Sequence, residues 1–103
     1  MIVVEKNLII IKSDRATLED KADFDALLST MVSSGESLIL VDLGTTSYLP
    51  SELMGLLMWK KKELKVKNIE LQIIRISSSL KKIFDTAMIS SFFTLERAEI
   101  TSV

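Results

Sequence analysis

Residues 38–84 read LILVDLGTTSYLPSELMGLLMWKKKELKVKNIELQIIRISSSLKKIF, and the order of patterns within them decides the fold. The stretch SLILVDL, residues 37–43, is a nearly unbroken apolar run, which is the mark of a strand buried on both faces. A helical segment follows from the stretch YLPSELMG, which holds the only proline, to about Lys67. The β-branched run IELQIIRI then reads as a second strand. SSSLKKIFDTAMI reads as another helix, with a serine available as N-cap and Leu80, Ile83, Phe84 and Ala87 at core spacing. Strand, helix, strand, helix in that order predicts parallel neighbours joined by crossover helices.

The flanks extend the same pattern. IVVE and LIIIKS are two strands separated by Lys6 and Asn7, close enough for a hairpin. In residues 13–35 the apolar positions are Leu18, Ala22, Phe24, Leu27, Leu28, Met31 and Val32. From Ala22 onward their spacing predicts one face of an amphipathic helix, which Gly35 ends. SFFTLE is read as a last short strand, and RAEITSV as a tail without assigned structure. The predicted fold class is therefore α/β: a single domain over residues 1–103, with a mostly parallel sheet, an N-terminal β-hairpin and covering helices.

Composition narrows the function classes. In 103 residues, 48% are hydrophobic, enough for one core. Thirteen basic against 14 acidic residues give a net charge of -1, so there is no global attraction to nucleic acid or anionic lipid. Without cysteine there is no thiolate nucleophile or thiolate metal site, and without histidine the usual general base and commonest transition-metal ligand are missing. The longest apolar stretch, LMGLLMW, is far shorter than the roughly 20 residues that span a bilayer. Glu5, Lys6 and Asn7 also interrupt the N-terminus where a secretory signal would be apolar. The expectation is a cytoplasmic protein that is not an enzyme, holds no cofactor or metal, and does not enter a membrane.

Residues 38–95 resemble a STAS domain, the fold of bacterial anti-sigma-factor antagonists. That family's signature runs as an apolar strand, D-L, small polar residues, an aromatic or apolar pair, D-S-S-G-L-G, and an apolar helix ending in basic residues. This chain aligns with it without a gap through Asp42-Leu43, Gly55, Leu64-Lys65, Glu70-Leu71, Leu80 and Ile83. At the D-S-S-G positions it has Pro50, Ser51, Glu52 and Leu53, so only the first serine is kept. In the family that serine is phosphorylated. The unphosphorylated form binds an anti-sigma factor that is also a serine kinase, phosphorylation breaks the complex, and a phosphatase restores it. The resemblance thus implies Ser51 as the phosphorylation site, an anti-sigma factor/serine kinase and a phosphatase as partners, and a protein-interaction module in a partner-switching pathway. The alternative is a STAS subunit that docks on a bacterial transporter or other signalling complex without phosphorylation.

Ser51 also carries chemistry of its own. First-turn N–H groups of a helix lack intrahelical partners and lie at the positive end of its dipole, so a serine there either caps the helix or, once modified, presents a phosphate. Glu52 is a fixed negative charge beside the acceptor, and Pro50 stiffens the loop. Placing Met54, Leu57, Met58, Lys61 and Leu64 on the sheet-facing stripe leaves Leu53 and Leu56 apolar and exposed, with Trp59 near the edge. The predicted partner surface is Ser47, Pro50, Ser51, Glu52, Leu53, Leu56 and Trp59; the alternatives are that the stripe is wide and these side chains are core, or that they cover a homodimer contact. The lysines Lys60, Lys61, Lys62, Lys65 and Lys67 spread around the helix and read as a solvated face. Asp14, Glu19, Asp20, Asp23 and Asp25 lack calcium-loop spacing and suit a helix N-terminus. A Ser51–Lys60 hydrolase has no oxyanion-hole motif beside it.

Overall fold

A two-residue turn at Lys6 and Asn7, with Lys6 at φ 55°, folds strand β1 (Ile2–Glu5) back on β2 (Leu8–Ile11), as the hairpin reading expects. The computed structural model describes residues 1–102. After the hairpin come α1 (Leu18–Ser33), β3 (Leu38–Leu43), α2 (Ser51–Val66), β4 (Glu70–Ser77) and α3 (Ser78–Thr86). Two 3-10 turns, Ser91–Phe93 and Leu95–Arg97, precede β5 (Glu99–Thr101). The sheet order is β1-β2-β3-β4-β5, with β1 antiparallel to β2 and every later pairing parallel. The α/β class, the mostly parallel sheet and the N-terminal hairpin are as expected.

Each parallel neighbour is reached through a single helix and the strands lie in chain order, so right-handed crossovers put all three helices on one face of the sheet. Burial agrees. Ile9, Ile11, Ile39, Val41, Leu43, Leu71, Ile73 and Ile76 are 0–4% exposed and share one core with Phe24, Leu28, Leu53, Leu57, Leu80 and Phe84 from the helices. The intervening residues Ile10, Leu40, Asp42 and Gln72 are only half-buried, and Leu38 is exposed. The expectation that SLILVDL is buried on both faces is therefore corrected, because among the described residues no layer covers the second face.

α1 begins at Leu18, inside the acidic stretch read as suiting a helix N-terminus, because Thr17 and Asp20 form a capping box: the Thr17 hydroxyl accepts from the Asp20 N–H at 3.1 Å and the Asp20 carboxylate accepts from the Thr17 N–H at 3.0 Å. Its core face is Asp20, Phe24, Leu28 and Met31, while Leu18 and Ala22 are exposed. Gly35 does end it, at φ 87°, with the Glu36 N–H returning to the Met31 carbonyl. SFFTLE is not a strand. Thr94 at φ 54° breaks the segment into two turns that drive Phe93 and Leu95 into the core, Phe93 lying 5.8 Å from the Phe84 ring. The last strand lies within RAEITSV instead.

Candidate functional site

The loop of residues 44–50, between β3 and α2, is fixed from three sides before it delivers Ser51 to the surface. β2 and β3 are parallel neighbours, so the loops that leave them emerge at the same end of the sheet. At this carboxyl end of the strands the Thr45 and Thr46 hydroxyls donate to the Ile11 carbonyl at 3.2 and 3.1 Å. The Ser47 N–H donates to the Asp14 carbonyl at 2.8 Å, and the Ala16 N–H to the Tyr48 carbonyl at 3.0 Å. From the other side, buried Ser77 donates to the Thr46 carbonyl at 2.6 Å while its oxygen accepts from the Leu80 N–H, so the residue that caps α3 also holds this loop. Thr101 donates to the Gly44 carbonyl at 2.5 Å.

Ser51 is the first residue of α2 and is exposed. It does not cap the helix: Pro50 occupies the cap position, at φ -65°, with no side-chain cap bond. The nearest partner of the Ser51 hydroxyl is the Glu52 carboxylate at 3.4 Å, a long contact. Ser51, Gly55 and Trp59 recur at i, i+4 and i+8, which aligns them on one solvent-facing stripe. Trp59 is 63% exposed. Space above Gly55 is empty: a Cβ built there meets nothing within 4 Å. No packing reason therefore accounts for a glycine in mid-helix, where it costs about 1 kcal/mol relative to alanine.

The seven predicted surface residues divide accordingly. Ser51, Glu52 and Trp59 are exposed together, and Pro50 and Leu56 are half-buried. Ser47 is half-buried, its hydroxyl donating to the Asp14 carboxylate at 2.7 Å. Leu53 is fully buried, so its expected exposure is corrected, and Leu56 packs against the core. The true core stripe of α2 is Leu53, Leu57 and Leu64, rotated from the expected one. Lys61 lies on the sheet-facing side as expected, its stem along β4 and its ammonium 2.8 Å from the Leu71 carbonyl and 3.1 Å from Glu70.

Sequence reasoning took Gly55 only as an aligned position of the family signature and not as part of the surface, and it missed the Arg15–Tyr48 pair, in which the guanidinium lies 4.4 Å from the ring centroid beside Ser47. The parallel neighbourhood of β2 and β3 was the signal that brings those loops together. Along the flank toward α1, Lys60 lies 3.8 Å from Asp25 and 3.1 Å from Glu63. The hydrogen bond from Lys60 holds the Glu63 carboxyl below the usual range. Among the described residues no cluster of acidic side chains has metal-binding geometry and no helix is long and apolar enough to cross a membrane.

Fold and site together define an α/β domain whose exposed chemistry on α2 is a hydroxyl, a carboxylate and an indole. No protein-family model matches the chain, and a search of curated proteins finds no match.

Proposed function

We propose that this protein is an interaction module of the anti-sigma-factor-antagonist kind, that its partner surface is the Ser51–Gly55–Trp59 stripe of α2, and that Ser51 is its phosphorylation site. The observation that carries the reading is the uncapped, exposed Ser51 hydroxyl at the start of a helix whose outer face holds a bare glycine and an exposed tryptophan. A side-chain-free position lets a partner approach the helix backbone closely, and a projecting indole supplies the anchor that such interfaces concentrate their energy on. A phosphate on Ser51 would add about -1.5 to -2 charges next to Glu52 and disfavour that contact. The resemblance to STAS domains names the partner class: an anti-sigma factor with serine kinase activity, and a phosphatase that reverses the mark.

The test is incubation with the candidate kinase and ATP, followed by intact-mass measurement. Addition of one phosphate, absent in Ser51→Ala, is the expected result; no addition, or addition that persists in the variant, removes the phosphoswitch. One observation favours a second reading. The Glu52 carboxylate already stands 3.4 Å from the acceptor hydroxyl, which suits a surface that docks constitutively on a transporter subunit or another signalling complex. In that case Ser51→Glu leaves partner binding unchanged and the copurifying partner is a transport ATPase.

A further inference from the structure

A second surface stands apart from α2 and does not depend on the function proposed for it. On the sheet face opposite the helices, Val3, Leu8, Ile10, Leu38 and Leu40 form an apolar centre across β1, β2 and β3 by their register. None of them belongs to the core or packs against it, and Leu38 is 41% exposed. Parallel strands with near-continuous apolar runs, as in LIII and LILV, normally have both faces covered. Most charges on this face already have partners. The Asp42 side chain is only 14% exposed, accepts from the Gly44 N–H at 2.8 Å and lies 3.9 Å from Arg75. Arg75 also binds Glu99 at 3.0 Å, and Glu70 is met by Lys61 at 3.1 Å. Lys6 belongs to the hairpin turn. Two exposed charges of the face have no ion pair among the described residues: Glu5, opposite Leu8, and Lys12, which continues the outward alternation of Leu8 and Ile10. They are of opposite sign and lie at opposite ends of the β1–β2 ribbon.

We infer that this face is the contact between two copies of the chain, stacked sheet on sheet about a two-fold axis that lies between the sheets and runs across the strands. Such an axis keeps β1 over β1 and reverses strand direction. Lys12 of each copy then comes over the Glu5 end of the other, and the two unpaired charges become two intermolecular pairs. Val3, Leu8, Ile10 and Leu40 close over their counterparts and supply the missing second layer. The whole face, rather than its apolar centre alone, sets the area. The molecule measures 33 × 26 × 22 Å, so one side is about a sixth of its 5773 Å² accessible surface, roughly 950 Å², against about 800 Å² per partner in a stable interface. The helices lie on the far side of each sheet, so the dimer carries its two α2 surfaces outward.

Sedimentation equilibrium of the full chain, over about 1 to 500 µM, is the test, and a concentration-dependent dimer is expected. Glu5→Lys and Lys12→Glu, both at exposed positions, are each expected to weaken the dimer about tenfold, and the chain carrying both changes to recover to within about threefold of the parent, because the swap restores both pairs. Leu40→Lys is expected to sediment as a monomer with unchanged circular dichroism, and Trp59→Ala to leave the dimer intact. A parent chain that stays monomeric, a dimer lost in Trp59→Ala, or a double variant no tighter than its singles would each overturn the inference.

Discussion

Gly44 and Gly55 lie eleven positions apart, and their surroundings give substitution by alanine opposite signs. A Cβ on buried Gly44 would stand 2.3 Å from Arg75 Cδ and 2.7 Å from its Cγ. Arg75 cannot swing away without loosening its bonds to Glu99 and Asp42. Gly44→Ala is therefore expected to destabilise by about 1–3 kcal/mol, as overpacking does. Gly55 has open space and a helical backbone, so Gly55→Ala is expected to stabilise by about 0.5–1 kcal/mol through helix propensity and reduced freedom of the unfolded chain. Urea denaturation of both variants checks the pair. A loss of stability in Gly55→Ala would mean that the glycine serves the fold, and the case for a partner approaching there would fail.

At the scale of elements, the clearest lever is the start of α1. Asp20 is buried yet ionised: burial works against the charge, but the Met1 α-ammonium at 3.0 Å, the Thr17 N–H and the Ser13 hydroxyl outweigh it and hold the carboxyl below the usual range. A carboxylate whose pKa is depressed by folding contributes stability above its unfolded value of about 3.9, and that contribution is lost as pH falls through the lower folded value. Asp20→Asn is expected to cost about 1–2 kcal/mol at neutral pH, on the scale of a lost helix cap. The gap to the parent should close below about pH 4, and denaturation across that range measures it. A gap independent of pH would assign the loss to packing. Helices and strands from Leu38 to Thr86 were legible because their apolar periods are long and their ends carry Gly, Pro or Ser signals. The register of α2 was not, since apolar residues at Leu53, Met54, Leu56, Leu57 and Met58 fill two candidate stripes equally, and only the packed sheet selects Leu53. The start of α1 was legible from its acidic first turn; its core face there was not, because the buried position is held by Asp20 while Ala22 is exposed. SFFTLE has strand composition, but Phe93 and Leu95 reach the same core side through a left-handed Thr94. Ser51, Glu52 and Trp59 were readable as a surface; the Arg15–Tyr48 contact was not, being set by strand adjacency.

For the whole molecule, the sheet order grades stability from the centre outward. β3 is flanked by β2 and β4, whereas β5 is a three-residue edge paired only with Arg75–Ser77. Amide exchange is expected to be slowest at Ile39 and Val41, at or near the rate of global unfolding, and fastest in β5. Equal protection of β5 and β3 would contradict this grading. Strand order carries one more consequence. Because every strand lies beside the one made just before it, no segment has to wait for a distant stretch of chain before finding its neighbour. As the polypeptide leaves the ribosome, the hairpin offers an edge to β3, and β3 then offers one to β4. Each helix closes behind its own strand, so assembly can keep pace with synthesis and proceed in the order of the message.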